Sequence, residues 1–538
     1  MVHQVTAPLL GSLVWSSAVA ILPILLLFIF LGCLGWRAER ATLAALAAAL
    51  LIALAVYGVA PVQSLNIAAY GGAFGLISVA WVILNAIWLY ELTVRSGHFE
   101  ALRQVFASMA GAPPVQMLLI AFGFGGLLEG LIGAGAPVAI CSAMLVAIGL
   151  PPMQAAICTL LADSVPVAFG TLALPIIALS SATGLPVTTL GAMVGRQTPI
   201  LAMLIPFILL ILVGGRRALR AHWRIAFLAG LSFGFTQFAV SNYLSVKLAD
   251  VIAALVASAV LVATVRLAPN GMHEPEMTRE NAIDPRRMAQ ALAPYGIIIL
   301  VFSLAQIPAL TRVLAVATVS FDWPGLAILS PDGAAIATRF KLPLLETTGT
   351  LLLLSGVITM LVLRLSPRLA LRAYRDAAYQ IRHAVITVAA IFALAFVANL
   401  SGQTRTMGLL LATLGPTGFA LVSPLIGWIG AALTGSDSSS NVLFGGLQTT
   451  AAQGVGMSPI LAAASNSSGG VVAKAISVQS LAVASATVSL VGKEAAILRR
   501  VIFWSLGLLL LMCAISLFQS LPFISGWVVP SLPAEPVP

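Results

Sequence analysis

The chain has 538 residues, of which 60% are hydrophobic and 8% charged, with a mean hydropathy of +1.06. Soluble globular domains carry about a quarter charged residues, so a string of soluble domains is excluded and most of the chain must lie in lipid. The net charge of +10 does not point to nucleic acid, because the arginines are spread among short loops between apolar runs.

In chain order, the first apolar stretch runs from Ser12 to Gly35. Its positive residues, Arg37 and Arg40, follow it, and it has no small-residue cleavage site, so it reads as a retained span and not a signal peptide. Further apolar segments lie near 42–60, 70–90, 115–128, 136–150, 154–180, 198–213, 225–240, 248–265, 294–311, 347–363, 384–400, 418–433, 440–452, 457–468, 475–491 and 501–522. A crossing takes about 20 apolar residues, and several of these segments are too short or broken, so about 12 to 14 true crossings are expected. No long polar tract separates them, which predicts one all-α polytopic membrane domain over residues 1–538. Cys33, Cys141, Cys158 and Cys513 stand singly in apolar segments and read as packing residues. The five histidines are equally scattered and suggest no metal site.

Loop charge predicts orientation. The loops at Arg37/Arg40, Arg95/Arg103, Arg216–Arg224, Arg266–Arg287, Arg364–Arg382 and Lys493–Arg500 hold 20 of the 27 Lys and Arg residues and should be cytoplasmic. The intervening loops hold only Lys247, Arg312, Arg339, Lys341 and Arg405, so both termini are expected outside. The two remaining cations, Arg196 and Lys474, sit in or beside apolar segments, as do Glu129, Asp163 and Asp437. Charge at membrane depth costs about 2.5–3.5 kcal/mol per residue even on lenient scales, so such residues face a cavity or a partner. The plainer alternative for each is a structural ion pair between helices.

All five fall in two regions that resemble each other. Gly126-Leu-Leu-Glu-Gly-Leu-Ile-Gly-Ala-Gly-Ala-Pro137, then Gly149-Leu-Pro-Pro-Met153 and a helix reaching Asp163, is echoed by Ala431-Ala-Leu-Thr-Gly-Ser-Asp-Ser-Ser-Ser-Asn441, then Gly456-Met-Ser-Pro-Ile460 and a helix reaching Gly469 and Gly470. The first copy follows a cytoplasmic loop and the second an external one. The expectation is therefore two inverted repeats with broken or re-entrant helices, their cores at 115–213 and 418–491. Inverted repeats with Gly- or Pro-interrupted helices point to the binding site of a secondary transporter. The alternative use of these glycines is close helix packing.

These residues also carry a family likeness. In Leu128-Glu-Gly, Gly135-Ala-Pro-Val-Ala139, Pro166-Val-Ala-Phe-Gly170, Met193-Val-Gly-Arg-Gln197, Gly427-Trp-Ile-Gly430, Leu433-Thr-Gly-Ser-Asp437, Ser439-Ser-Asn441, Gly469-Gly-Val471, Lys474 and Leu490-Val-Gly-Lys-Glu494, the chain resembles the L-lactate permease family from end to end. The resemblance implies uptake of L-lactate, with D-lactate and glycolate, across a bacterial inner membrane by proton symport. No zinc-binding His motif appears, and neither an enzymatic activity nor a cofactor is expected. Three stretches depart from the family pattern: Gly130 to Gly135, Asp163 where Asn is expected, and Leu342 to Glu346.

A 2-hydroxy acid offers a carboxylate and an adjacent hydroxyl. Lys474 or Arg196 is expected to neutralise the carboxylate, with the broken-helix amides around Gly133, Gly135 and Ala136, and around Gly435 and Ser436, assisting. Ser438, Ser439 and Asn441 are expected to contact the hydroxyl. Glu129 and Asp437, then Asp163, are the candidates to carry the proton. Oxygen ligation of Na⁺ by Thr434, Ser436, Ser438 and Asn441 is the alternative coupling, and a carrier of another short carboxylate is the alternative cargo. The run Gly469 to Lys474 lacks the spacing and the Ser or Thr of a phosphate-binding loop.

Overall fold

Lipid offers no hydrogen-bond partner to a peptide group, so apolar runs of this kind close their backbone bonds internally as helices. The structure, a computed structural model, describes residues 2–108, 113–133, 135–267, 285–331, 333–336 and 338–531. Much of the predicted cytoplasmic loop Arg266–Arg287 lies outside the described residues, as does Ala134 within the first predicted break.

Ten helices among the described residues are long and apolar enough to cross a membrane, or twelve if two bent pairs each count as one span. The first are α1 (Leu13–Cys33), α2 (Ala38–Ala55) and α3 (Pro61–Arg95). After α4 (His98–Ser108) the chain enters its first core region through α5 (Pro113–Leu131), α6 (Ala136–Ala147), α7 (Pro152–Asp163), α8 (Gly170–Thr183) and α9 (Val187–Val194). Then come α10 (Pro199–Tyr243), α11 (Ala249–Leu267), α12 (Pro285–Leu304) and α13 (Pro308–Ala315). The second half holds α14 (Thr348–Val362), α15 (Pro367–Gln380), α16 (Arg382–Ser401), α17 (Gln403–Ala412), α18 (Gly415–Thr434), α19 (Asp437–Gly454), α20 (Pro459–Ala473), α21 (Val478–Thr487), α22 (Glu494–Ser520) and α23 (Pro522–Val528). Prolines open α3, α7, α10 and α20, where the missing N–H forfeits no helical bond.

The span count overlaps the expected 12 to 14 only at its upper end, for identifiable reasons. Segments 198–213 and 225–240 share the single helix α10, which breaks at Gly214 and Gly215 (φ −137° and +60°). Its arms fold together: Gly230 lies against Ala202 and Met203, and Gly234 against Pro199. Segment 136–150 becomes α6, whose 12 residues cannot span a hydrocarbon core of about 30 Å at 1.5 Å per residue.

Short strands cap one face. β1 (Val2–His3) pairs in parallel with β3 (Ile328–Leu329), which pairs antiparallel with β4 (Ala335–Ile336), while β2 (Thr318–Asp322) pairs antiparallel with β5 (Arg339–Pro343). The N-terminus therefore shares a face with the loop that carries Arg339 and Lys341. Cys141 and Cys158 pack in the interior as expected, but Cys33 is exposed on the apolar surface of α1.

The order of elements repeats. In each half a helix ends at a left-handed glycine, a second helix starts, a Gly-to-Pro turn leads to a buried helix, and a 3-10 turn (Val167–Phe169 or Lys474–Ile476) precedes a further helix. Glycines also serve close packing here: a Cβ on Gly427 would overlap the Asn466 carbonyl, and one on Gly469 the Pro424 carbonyl, so α18 and α20 touch backbone to backbone.

Candidate functional site

The first break is built on two glycines. After Leu131, Gly133 and Gly135 take φ +58° and +84°, a region L side chains avoid, and α6 restarts at Ala136. Glu129, half a turn before the end of α5, is 4% exposed. Its Oε1 would lie 2.9 Å from a Cβ on Gly170 and 3.4 Å from one on Gly133, so both glycines make room for the carboxyl. Thr171, Leu172 and Ala173 at the head of α8 adopt φ +45°, +57° and +63°, a left-handed turn that costs about 1–2 kcal/mol per residue and that surrounding packing must hold. Asp163, at the end of α7, is likewise buried and lies close enough to Glu129 for the two carboxyls to be electrostatically coupled.

The second break ends α18 at Gly435 (φ +75°), and Ser436 caps α19 by accepting from the Ser439 N–H at 3.3 Å. Asp437, 2% exposed, opens α19. Its Oδ2 accepts from Ser467 Oγ at 2.8 Å and Asn441 Nδ2 at 3.1 Å. Its Oδ1 faces Gly470, where a Cβ would collide with it. Each break thus seats one acid against one glycine of a neighbouring segment. Asn441 also donates to the Pro175 carbonyl of α8 at 3.1 Å, and its Oδ1 accepts from Asn466 at 2.9 Å. Gln448 donates to Asn466 Oδ1 at 3.0 Å, so a fully buried amide chain links α19, α20 and the first half.

Lys474 follows α20 directly and is 7% exposed. The charge of its ammonium is felt by Glu129, Asp163 and Asp437, so one buried cation lies within electrostatic reach of acids from both halves without a direct ion pair to any of them. The next helix, α21, touches both breaks: Gln479 lies over Gly435, and Val483 over Gly135. Glu129 Oε2, both Asp163 oxygens and Asp437 Oδ1 have no hydrogen-bond partner among the described residues. Cavities of about 510 and 770 Å³ lie elsewhere in the molecule and are lined by none of these residues. Among the described residues no set of three or more His, Cys, Asp or Glu side chains could hold a metal ion.

Thus Glu129, Asp163, Asp437, Asn441, Lys474 and both glycine breaks come together, with Ser436, Ser438 and Ser439 on the first turn of α19. Arg196 does not join them. Its guanidinium donates to Asn242 Oδ1 at 2.9 Å and to the Val528 carbonyl at 2.5 Å, beside the larger cavity. The next residue, Gln197, is the one that reaches inward, bonding Ser465, Ser468 and Gln519. Asn441 has its amide fully engaged and holds Asp437 in place, instead of offering a free group to a ligand hydroxyl. Thr434, one of the oxygens considered for Na⁺, spends its hydroxyl on the carbonyls of Gly430 and Ser436.

Sequence reasoning missed Gln197, Asn466, Ser467, Gln448 and Asp250. Asp250 is fully buried, accepts from Gln237 Nε2 at 2.7 Å, and lies behind Gly130, one residue from Glu129. The run Ser465-Asn-Ser-Ser468 in an apolar helix was the available signal for α20, since polar groups at membrane depth need partners.

Residues 16–522 match the L-lactate permease family. The chain is 36% identical to an L-lactate permease of Bacillus subtilis (strain 168), covering 98% of this chain and 99% of that one. It is 34% identical to Glycolate permease GlcA of Escherichia coli (strain K12), over 96% and 97% of the two chains. Among solved structures, the YdaH transporter of Alcanivorax borkumensis aligns at 15% identity with a TM-score of 0.45, over 87% of this chain and 90% of that one.

Proposed function

Because the chain belongs to the L-lactate permease family, as a multi-pass transporter and not an enzyme, we propose that it takes up L-lactate, with D-lactate and glycolate, by proton symport across the bacterial plasma membrane. Named relatives that are L-lactate and glycolate permeases support this cargo. The observation that carries the coupling is the burial of Glu129, Asp163 and Asp437 with one ammonium, Lys474, within electrostatic reach of all three.

Charge balance supplies the mechanism. Three carboxylates and one ammonium out of water would leave two uncompensated negative charges, each costing several kcal/mol. Two protons on these acids remove that charge, and a third, taken up with the substrate, neutralises the last carboxylate and frees Lys474. The freed ammonium then receives the substrate carboxylate, with the N-terminal turns of α6 and α19 adding their dipoles and Ser438 or Ser439 meeting the 2-hydroxyl. Without the proton the acids hold Lys474 and the anion has no counter-charge, so the two ligands bind together or not at all. Glu129 and Asp437 are the first proton carriers and Asp163 the third. The two regions of matching element order are read as inverted copies around this centre, with both termini outside.

The test is uptake of labelled L-lactate into proteoliposomes under an imposed pH gradient, with unlabelled lactate, glycolate and dicarboxylates as competitors. Accumulation should follow the pH gradient and persist when K⁺ replaces Na⁺. Uptake that ignores the pH gradient and requires Na⁺ would overturn proton coupling; preferential competition by dicarboxylates would overturn the cargo.

A further inference from the structure

The cavity of about 510 Å³ is separate from the centre just described and falls in the range of about 300–1,000 Å³ usual for small-ligand sites. Its wall holds one cation, Lys247, partly buried at the turn between α10 and α11. Among the described residues no hydrogen bond or ion pair within 4.0 Å engages that ammonium. The acid whose field reaches it, Glu346, accepts instead from Thr318 Oγ1 at 3.1 Å. Beside it, Ser245 is 6% exposed, and its Oγ has no partner. Ser78, Thr188, Thr348 and Gln306 add hydroxyl and amide groups to the same wall.

A half-buried cation with no directly bonded counter-ion, next to an unsatisfied hydroxyl, is complementary to a small anion that brings one carboxylate and one hydrogen-bonding neighbour. We propose that this cavity is a second binding site for short carboxylate anions, one that receives the substrate before it reaches Lys474; the substrate assignment rests on the transport reading above. Placement supports the order. Pro343, the end of β5, lines the cavity, which puts it next to the strands that share a face with the N-terminus. Ile177 in its wall is two residues from Pro175, whose carbonyl holds Asn441. Lys247 itself is three residues from Asp250, behind Gly130. The Lys247 ammonium binds the carboxylate, Ser245 binds the 2-hydroxyl, and α8 is the partition between this site and the centre.

The full-length protein in proteoliposomes is treated with a small amine-acylating reagent, with and without millimolar L-lactate, and Lys247 modification is read by mass spectrometry. Lactate should slow it by about fivefold or more while the neutral amide of lactate does not, as expected for a charge-assisted contact. In uptake, Lys247→Gln should raise the half-saturating lactate concentration by about tenfold with the larger loss there and not in the maximal rate, and Lys247→Arg should restore most of it. Equal modification with and without lactate overturns the site even if the variants fail to fold. Protection without any wild-type uptake keeps the site and removes the transport reading; uptake without protection removes the site alone.

Discussion

Gly470→Ala tests the central geometry most directly. A Cβ at this position would overlap Asp437 Oδ1 and stand 3.2 Å from its carboxyl carbon. α20 cannot simply retreat, because the adjacent Gly469 already lies against the Pro424 backbone. The carboxyl must therefore swing off its two bonds, from Ser467 at 2.8 Å and Asn441 at 3.1 Å. Hydrogen bonds to a charged group contribute about 1.5–3 kcal/mol each, or about 3–6 kcal/mol for the pair. Replacing glycine by alanine within a helix returns about 1 kcal/mol, so the net loss is about 2–5 kcal/mol, a large share of a typical folding free energy. Gly507→Ala on α22, where nothing lies within 4 Å of the added carbon, should be neutral or slightly stabilising. Thermal unfolding of the purified protein in detergent reads both. The decisive measurement is the double variant Gly470→Ala/Asp437→Ala, in which removing the carboxyl relieves the collision: it should be more stable than Gly470→Ala alone, with a coupling of about 1 kcal/mol or more. Wild-type stability in Gly470→Ala, or strict additivity in the cycle, would refute the placement of Asp437.

Other outcomes follow from the same centre. Glu129→Gln or Asp437→Asn should abolish lactate-driven proton uptake in vesicles while leaving membrane insertion intact; full coupling in both variants would sink the proton assignment. Wild-type lactate affinity should rise as the medium is acidified, by up to about tenfold per pH unit where one proton binds with each anion, and a variant lacking the proton carrier should lose that dependence. Arg196→Gln should change lactate half-saturation by less than about threefold, since its contacts go to Asn242 and Val528, whereas Gln197→Ala removes buried bonds to Ser465, Ser468 and Gln519 and should cost about 1–3 kcal/mol of stability. A larger kinetic defect in Arg196→Gln than in Lys474→Gln would reverse the assignment of the carboxylate-binding cation.

Much of this was legible along the chain because lipid imposes strict local conditions. Apolar runs had to become helices, and Glu129, Asp163, Asp437 and Lys474 stood out because charge at that depth demands a partner. The glycine breaks were visible for a related reason: Gly133, Gly135 and Gly435 do adopt the left-handed φ that only glycine tolerates without strain. Arg196 carried the same signal as Lys474, yet a charged residue in an apolar segment reveals its need for a partner and not the partner's identity. One residue of rotation separates Arg196, which turns to Asn242, from Gln197, which turns to α20.

The residue pattern by itself determined a helical, multi-pass protein of the L-lactate permease family, with two glycine-broken regions and their acids. Helix packing alone settled that Lys474 is buried within electrostatic reach of acids from both halves, that Asn441 is bound to Asp437 and Pro175, that α10 folds back on itself at Gly214 and Gly215, and that Asp250 backs Gly130. The division has a physical cause. Burial cost and backbone strain act residue by residue and leave marks on composition, whereas the meeting of side chains hundreds of positions apart depends on how helices rotate and pack, which no local spacing records.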